Sequence, residues 1–338
     1  MKIGLIGWYN HYNYGDDRIL YCLKKFFSGC NFLITNSWQD ARLKINELNN
    51  CDYILIGGGG FILRDCWRHI DVVLNFKKPF GLVGIGVEAK HKSMEQFLKA
   101  IKEKAEFILV RDSESKRKLE DHYKVIVGPD LTFLFPFDIV PEIKEDICGV
   151  NLRDWYYWKS EFFGTFYSVM KRIDNRFPII KKIYPFVKWD PEKAVEIIQK
   201  NFKHILALPL SFSKDYVSDV DILKQHFGNV PSQIDLSIYD KIRYLVGMRL
   251  HFLIFSMQFG VPFISLSYQP KNFSFCANNN LNILSCDIYN LEKLKNKIDF
   301  VKTNYNSVRE KIIFQREKNI KDINYIFKSI FNLINTRQ

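Results

Sequence analysis

An arginine and a histidine stand two positions apart in the segment Gly247–His251, whose sequence is Gly-Met-Arg-Leu-His. The planar guanidinium of Arg249 can grip a phosphate or a carboxylate through two parallel hydrogen bonds. The imidazole of His251 can move a proton near neutral pH. An anion clamp beside a proton carrier is typical of group transfer from an anionic donor. The same residues would also suit an ordinary strand-to-helix turn with a surface arginine and a packed histidine.

Further charged residues follow short apolar segments, where a parallel sheet would gather them at one edge. Arg111 and Asp112 follow one such segment, and Arg153 follows another. Each arginine could contact a ligand, or could pair with the aspartate beside it at a helix start. Arg153 is the better ligand candidate, because it comes where the first strand of a second domain would meet an interdomain cleft. Asp130, after Gly-Pro, could act as a base or could orient its own loop.

Two turns in the N-terminal half could contact a sugar. In the segment Asn-Tyr-Gly-Asp, Asn13 and Asp16 could bind hydroxyl groups, although Asp16 or Asp17 could instead be the N-cap of the following helix. Four glycines in succession predict a loop whose N–H groups cradle an anion or a sugar, although tight packing would also require glycine. These glycines are Gly57, Gly58, Gly59 and Gly60. Neither a dinucleotide fingerprint nor a Walker loop is present.

Composition narrows the class of partner. The 338-residue chain carries 49 Lys and Arg against 37 Asp and Glu, a formal net charge of +12, which favours phosphorylated substrates, polyanions or an anionic membrane surface. The basic residues are scattered along the chain, which argues against nucleic acid. Seven irregularly spaced cysteines predict free thiols and no metal site. No apolar run approaches the roughly 18 residues of a membrane span, so we expect a cytoplasmic protein.

Short apolar segments alternate with helical segments in both halves, which predicts α/β domains with doubly wound parallel sheets. We expect an N-terminal domain over residues 1–145 and a C-terminal domain over 146–300. A helical tail over 301–338 is expected to pack back across the cleft between them. The predicted strands are Lys2–Gly7, Tyr53–Ile56, Phe80–Ile85, Phe107–Val110, Val125–Val127, Ile147–Leu152, His204–Leu208, Tyr244–Val246 and Pro262–Leu266.

One segment, residues 155–190, interrupts this alternation with many aromatic residues interleaved with lysine and arginine. Such a composition suits an inserted helical hairpin that packs on the second domain. It also suits a surface that meets anionic lipid, with aromatic rings at headgroup depth and basic residues facing the phosphates. Both interpretations stay open.

Taken in order, these motifs resemble the polysaccharide pyruvyl transferase family, and they span residues 3–275. The matching marks are Asn13-x-Gly15-Asp16, Gly57–Gly60, Gly84-Ile85-Gly86, Val110-Arg111-Asp112 with Ser115, Gly128-Pro129-Asp130, Gly247–His251, Gly260-Val261-Pro262 and Tyr268-x-x-Lys271. The resemblance implies two Rossmann-like domains with an interdomain cleft, similar to the type-B (GT-B) glycosyltransferases. It implies transfer of the pyruvyl group of phosphoenolpyruvate to two hydroxyls of a sugar in a cell-surface polysaccharide, such as a capsule or exopolysaccharide, with release of phosphate.

The resemblance also implies residue roles. Arg249, Leu250 and His251 would contact the donor on the C-terminal side, with Arg153 and Lys271 as further donor residues. The acceptor would lie on the N-terminal side, near the residues named above at the ends of its strands: Asn13, Asp16, Gly57–Gly60, Arg111 and Asp130. His251 would be the general acid and base, and Arg249 would stabilise the charge on phosphate or carboxylate.

No metal and no organic cofactor is expected beyond phosphoenolpyruvate as co-substrate. Whether the sugar acceptor is lipid-linked, polymeric or nucleotide-linked stays open, and a lipid-linked acceptor would bring the protein to the inner face of the cytoplasmic membrane. Two alternatives are kept. One is a GT-B glycosyltransferase that uses a nucleotide-sugar donor, and the other is a non-catalytic protein that binds polyanions or membranes.

Overall fold

The N-terminal half forms a six-stranded sheet with strand order β2-β1-β3-β4-β5-β6, and every recorded pairing in it is parallel. The computed structural model describes residues 1–62, 65–87, 94–141, 145–155, 189–212 and 218–336, and elements are numbered over these ranges. The strands are β1 (Lys2–Ile6), β2 (Asn31–Thr35), β3 (Tyr53–Ile62), β4 (Phe80–Val87), β5 (Ile108–Val110) and β6 (Val125–Val127). The helices are α1 (Tyr14–Phe26), α2 (Trp38–Leu43), α3 (Ile45–Leu48), α4 (Ile70–Leu74), α5 (Glu95–Lys104) and α6 (Ser113–Lys118).

The C-terminal half forms a five-stranded parallel sheet with strand order β11-β10-β9-β7-β8. Its strands are β7 (Ile147–Asn151), β8 (His204–Ala207), β9 (Tyr244–Gly247), β10 (Phe263–Ser267) and β11 (Ser285–Asp287). Its helices are α7 (Pro191–Asn201), α8 (Val220–Phe227), α9 (Leu250–Phe259), α10 (Pro270–Asn278), α11 (Glu292–Thr303) and α12 (Tyr305–Asn335). Helices connect the parallel strands, as parallel pairing requires. The predicted α/β fold with two doubly wound sheets is confirmed.

The four glycines predicted to form a loop lie within β3, so the loop prediction was wrong. Gly57, Gly58 and Gly59 have φ angles of +154°, +90° and +71°, which side chains rarely tolerate. A Cβ atom on Gly57 would lie 2.0 Å from the carbonyl oxygen of Val83 on β4. The run therefore lets β3 continue close against its neighbours, with a register shift between Gly59 and Ile62.

The C-terminal tail is divided, because α11 ends at Thr303 and α12 begins at Tyr305. Helix α12 contacts both halves of the chain. The ring of Phe327 lies 5.1 Å from that of Phe26 on α1, and Nε of Arg316 donates to the carbonyl oxygen of Gln258 on α9 at 2.6 Å. This helix therefore forms one wall where the two halves meet.

Most of the aromatic and basic segment over 155–190 lies outside the described residues. The two predictions for it, a helical hairpin and a lipid-binding surface, therefore concern residues that the structure does not describe. At its two ends Trp155 and Trp189 are buried. The seven cysteines are all unpaired thiols. None of the described helices combines the length and the apolar character that crossing a membrane requires.

Candidate active site

The motif that holds Arg249 and His251 starts helix α9, which directly follows β9. All ten residues of α9 are buried, as expected for a helix that is apolar on every side. Arg249 is its N-cap residue, yet the side chain makes no capping hydrogen bond. Gly260, at a φ of +68°, ends the helix. The first N–H groups of α9 therefore lack a side-chain cap, and such a helix start favours an anion.

A buried aspartate fixes the direction of Arg249. Nε of Arg249 donates to both carboxylate oxygens of Asp219, at 2.7 and 2.8 Å, and Asp219 is fully buried. Oδ2 of Asp219 also accepts the backbone N–H groups of Leu210 and Ser211, at 3.0 and 3.2 Å, and the amide of Asn151 at 3.1 Å. With this many donors, the carboxylate is held rigidly and so is the guanidinium paired with it.

The charges of three basic residues act on the phenol of Tyr268, just after β10. Nη1 of Arg153 donates to its hydroxyl at 3.0 Å. Burial raises the pKa of Tyr268, but the positive charges of Arg153, Lys271 and Arg249 outweigh burial and lower it. Lys271 lies in the first turn of α10, where the helix dipole disfavours a cation and favours an anion. Such a concentration of positive charge suits a ligand with more than one negative charge.

His251 faces a carboxylate from the other half of the chain. Its Nε2 lies 3.5 Å from Oδ2 of Asp130, an ion-pair distance, and both side chains are buried. The other oxygen of Asp130 accepts from the backbone N–H and the hydroxyl of Thr132, at 3.0 and 2.8 Å. Burial raises the pKa of Asp130, but the imidazole and these hydrogen bonds outweigh it and lower the pKa to about 2. Asp130 is thus a fixed negative charge beside the imidazole.

A second buried carboxylate, Asp16, lies near the same imidazole. Burial raises its pKa, and the positive charges of His251, Arg111 and Lys271 offset this only in part. The prediction that Asp16 or Asp17 caps α1 was wrong. The N-cap is Asn13, whose Oδ1 accepts from the N–H of Gly15 while its Nδ2 donates to Asp16 at 2.5 Å. Capping by Asn13 leaves Asp16 inside the first turn, directed at the site.

Two glycines allow the close contacts that assemble this group. A Cβ atom on Gly15 would lie 1.9 Å from Nδ1 of His251, and one on Gly59 would lie 2.3 Å from Oδ1 of Asp16. The space beside Gly59 is therefore filled by the side chain of Asp16, so a residue with a side chain would not fit there. Gly15 is the position at which α1 touches the catalytic candidate directly.

Contacts between the two halves bring the predicted residues together. The N–H of Tyr14 donates to the carbonyl oxygen of Leu210 at 3.0 Å, and the N–H of Phe212 donates to that of Tyr12 at 3.0 Å. These bonds join the start of α1 to the loop after β8. His251 and Asp130, from opposite halves, consequently share one site.

The remaining predicted residues have distinct places. Arg111 is only partly exposed, and its Nε lies 3.9 Å from Oδ2 of Asp112, which is the N-cap of α6. Its charge also acts on Asp16 and Asp130, so the structure groups Arg111 with the carboxylates. Leu250 is buried at the start of α9. Gly60 lies at the end of the glycine run, within β3.

Sequence reasoning missed two residues that position the site. Asn151 ends β7, and its Oδ1 accepts the N–H of Arg249 at 3.1 Å. Asn151 lies at a strand end, two residues before Arg153, and this position could have identified it from the sequence as a candidate site residue. Asp219 follows no recognisable motif, and its pairing with Arg249 depends on tertiary structure. Within the described ranges, no group of three or more His, Cys, Asp or Glu residues could hold a metal ion.

The profile of the polysaccharide pyruvyl transferase family matches residues 13–270, and the chain therefore belongs to that family. No curated protein matches the chain. Among solved structures, HepE from Anabaena in complex with UDP-glucose is similar, with a TM-score of 0.61 and 9% identity over 99% of this chain and 100% of that one. A putative UDP-N-acetylglucosamine 2-epimerase from Listeria monocytogenes has a TM-score of 0.53 and 11% identity over 97% of each chain. At these identities the similarity shows the fold alone, two Rossmann-like domains of the GT-B kind.

Proposed function

We propose that this protein transfers the pyruvyl group of phosphoenolpyruvate to two hydroxyls of one sugar in a glycan, forming a pyruvate ketal and releasing phosphate. The carrying observation is the hydrogen bond from Arg153 to Tyr268, on which the charges of Lys271 and Arg249 also act, together with the pair of His251 and Asp130. Family membership supplies the reaction class. The geometry supports an anionic donor held next to a proton carrier.

The donor carries a phosphate and a carboxylate, and the cationic group can neutralise both. Arg249 suits the phosphate, because Asp219 fixes its plane and the uncapped start of α9 lies beside it. Arg153 and Lys271 suit the carboxylate or the remaining phosphate charge. Holding the donor at defined contacts lowers the entropic part of the barrier.

The chemistry requires one proton on carbon and the removal of two from oxygen. A protonated His251 adds a proton to C3 of the enol, and C2 becomes electrophilic. One sugar hydroxyl then forms a bond to C2 and gives up its proton. The C2–O bond to phosphate breaks, and its electron pair leaves with the phosphate. The second hydroxyl then forms a bond to C2 and closes the ketal. One hydroxyl proton replaces the proton given to C3, and the other departs with phosphate or solvent. Asp130 would stabilise the imidazolium until it gives its proton to C3.

Two carboxyls with opposite pKa shifts flank the imidazole, a pattern that separates acid–base roles. Asp130, with a pKa lowered to about 2, stays ionised and is suited to orienting His251. Asp16 has a raised pKa, so it is the better acceptor and donor of a proton. We assign Asp16 to the second hydroxyl of the sugar.

Donor binding separates this function from its alternatives. Ligand that binds only the folded state raises its stability, by about 2.7 kcal/mol at a hundredfold excess over Kd. We expect phosphoenolpyruvate to raise the melting temperature and UDP- or GDP-sugars to leave it unchanged. Addition of a suitable acceptor should then release inorganic phosphate. A shift with nucleotide sugars alone would favour a glycosyltransferase, and binding of polyanions without turnover would favour a non-catalytic protein.

Membrane contact is a separate part of the proposal. A lipid-linked acceptor would suit the aromatic and basic composition of residues 155–190. Co-sedimentation with anionic liposomes should fall when residues 156–188 are deleted. Equal partitioning of the two proteins would exclude this part and leave the transfer reaction unaffected.

A further inference from the structure

One face of helix α12 is exposed along most of its length. The opposite face packs on the rest of the chain through Ile312, Ile323, Phe327 and Ile330, which are all buried. Six residues of the exposed face recur at alternating spacings of three and four, so they form one line along the helix. These residues are Lys311, Phe314, Lys318, Lys321, Tyr325 and Lys328. All six are exposed, and we call this line the α12 stripe.

The stripe holds two aromatic side chains in solvent. Phe314 is 67% exposed and Tyr325 is 75% exposed, although burial of an aromatic ring is strongly favourable. At a rise of about 1.5 Å per residue, the two rings are about 16 Å apart along the axis, with Lys318 and Lys321 between them. A single exposed ring would mean little, but two rings alternating with lysines on one helix face indicate an interaction surface.

The charge of the stripe is uniformly positive. Its four lysines lie on a straight helix face, and no position of the stripe is acidic. The acidic residues of the same part of the helix lie beside it: Glu310 precedes Lys311, Glu317 pairs with Arg316, and Asp322 lines a cavity. A row of four lysines on a helix attracts an anionic surface, and anionic lipid headgroups are such a surface.

The chemistry of the stripe favours a bilayer over other anionic partners. A glycan needs hydrogen-bond acceptors as well as donors, whereas lysine only donates and phenylalanine does neither. A second copy of this chain, paired symmetrically, would place lysines against lysines. A bilayer surface requires only positive charge and aromatic rings that can enter the headgroup region, and the stripe supplies both.

We propose that the α12 stripe binds the anionic headgroups of a bilayer surface, with Phe314 and Tyr325 at headgroup depth. The helix lies beyond residues 13–270, the part matched by the family profile, and it is separate from the segment 155–190. Lys318 also lines a cavity of about 260 Å³ with Arg111 and Lys271 of the candidate site. If the proposed function holds, the stripe would therefore bring this site close to a lipid-linked acceptor.

Co-sedimentation of the full chain with vesicles tests the proposal without phosphoenolpyruvate or sugar. The vesicles contain phosphatidylcholine alone or phosphatidylcholine with phosphatidylglycerol. The charge variant replaces three stripe lysines by glutamine and keeps Lys318, because Lys318 also lines the cavity. The matched control removes the same charge from exposed lysines of α7 and α11. These variants are Lys311→Gln/Lys321→Gln/Lys328→Gln and Lys193→Gln/Lys293→Gln/Lys295→Gln.

We expect the wild type to bind the anionic vesicles and not the neutral ones. Binding should weaken as the salt rises from about 0.1 M to about 1 M, because the screening length falls from about 10 to about 3 Å. The charge variant should partition about tenfold to hundredfold more weakly than the wild type, while the control should stay close to it. Equal partitioning of the charge variant and its control, or equal binding of the wild type to both vesicles, would overturn the proposal.

A second pair of variants tests the aromatic rings. Phe314→Ser/Tyr325→Ser should bind anionic vesicles at least about fivefold more weakly, since it loses both contacts with the headgroup region. Leu43→Ser/Tyr123→Ser changes two exposed apolar residues of the N-terminal half and should bind as the wild type does. Equal binding of these two double variants would refute insertion of the rings.

Alginate, a soluble anionic polysaccharide, separates a membrane from a glycan. Binding of alginate that requires the stripe lysines, without binding to vesicles, would overturn the proposal and assign the stripe to a glycan chain. Melting temperatures of all variants should match that of the wild type, since every changed residue is exposed. No donor or acceptor is present in these measurements, so failure of vesicle binding is distinguishable from failure of the transfer reaction.

Discussion

Both carboxylate oxygens of Asp219 hold the same nitrogen, Nε of Arg249, at 2.7 and 2.8 Å. A fully buried residue therefore determines the orientation of the guanidinium. An arginine at the start of an uncapped helix, with its plane fixed in advance, binds an anion without the entropic cost of ordering a long side chain. The proposed clamp would thus be a unit of two residues from distant parts of the chain.

Replacement of Asp219 by asparagine should destabilise the protein. The asparagine NH₂ group would face the N–H groups of Leu210 and Ser211 or the guanidinium of Arg249, so donors would meet donors. We expect the free energy of unfolding to fall by about 2–4 kcal/mol. Urea denaturation of Asp219→Asn checks this, with Asp221→Asn, an exposed position on α8, as the control. Equal midpoints for the two variants would contradict the role of Asp219.

Arg249→Lys should weaken donor binding while the fold is kept. A lysine ammonium cannot contact Asp219 and a phosphate with the paired geometry of a guanidinium. Loss of a hydrogen bond to a charged group is worth about 1.5–3 kcal/mol, which corresponds to roughly tenfold to hundredfold weaker binding of phosphoenolpyruvate. Isothermal titration would measure the Kd, with the exposed Arg117→Lys as a matched control. Wild-type affinity in Arg249→Lys would refute the clamp.

Asp16→Asn should make the protein more stable and less active. The folded-state pKa of Asp16 is raised, chiefly by burial, so its ionisation opposes folding. This cost is absent below the unfolded pKa of about 4 and develops as the pH rises through the folded value. The variant should therefore gain stability over the wild type as the pH increases from 4 to 7, while turnover falls about 10²- to 10⁴-fold if Asp16 carries a proton.

Denaturation of both proteins at pH 4 and pH 7, together with phosphate-release rates, would check this prediction. Asp17→Asn is the neighbouring control for the phosphate-release rate only, because Asp17 accepts from the N–H of Asn10 and its own pKa is also raised, chiefly by burial. A stability difference for Asp16→Asn that shrinks as the pH rises would contradict the assignment.

Gly15→Ala should damage the site through steric contact with His251. The new methyl group would lie 1.9 Å from Nδ1, so the imidazole or α1 must move. We expect a fall in turnover of at least about tenfold, because small displacements of a catalytic group are costly. In the double variant Gly15→Ala/His251→Ala the imidazole is absent, so the clash is removed. Its loss of stability should therefore be smaller than the sum of the losses in the two single variants. Additive stability changes would show that Gly15 does not restrict His251.

The fold was largely predictable from sequence, because strands of a parallel sheet are buried on both faces and form short apolar segments. The predicted β9 and β10 lie within one residue of the observed strands. The weakly apolar β2, Asn31–Thr35, gave no such signal and was missed. The glycine run was assigned to a loop because local sequence does not show that β4, Ile19 and Asp16 occupy the space beside it.

The sequence predicted several residues of the candidate site, but it did not predict which of them pair with one another. Motifs at strand ends identified Arg249, His251 and Asp130, since the topology brings such ends together. Pairing of Asp219 with Arg249 depends on tertiary contacts between residues far apart in sequence. The helix cap was misassigned to Asp16 or Asp17 because Asn, Asp and Gly all favour the start of a helix, and only the structure shows that Asn13 takes this role.

Mass spectrometry of a sugar-acceptor panel, incubated with phosphoenolpyruvate and either wild type or His251→Ala, tests the central claim most directly. We predict that the wild type adds one pyruvate ketal, the mass of pyruvate less water, to at least one acceptor and releases one phosphate. The His251→Ala protein should bind the donor and form the product about 10²- to 10⁴-fold more slowly. Product formed at the wild-type rate by His251→Ala, or transfer of a sugar instead of a pyruvyl group, would contradict the account.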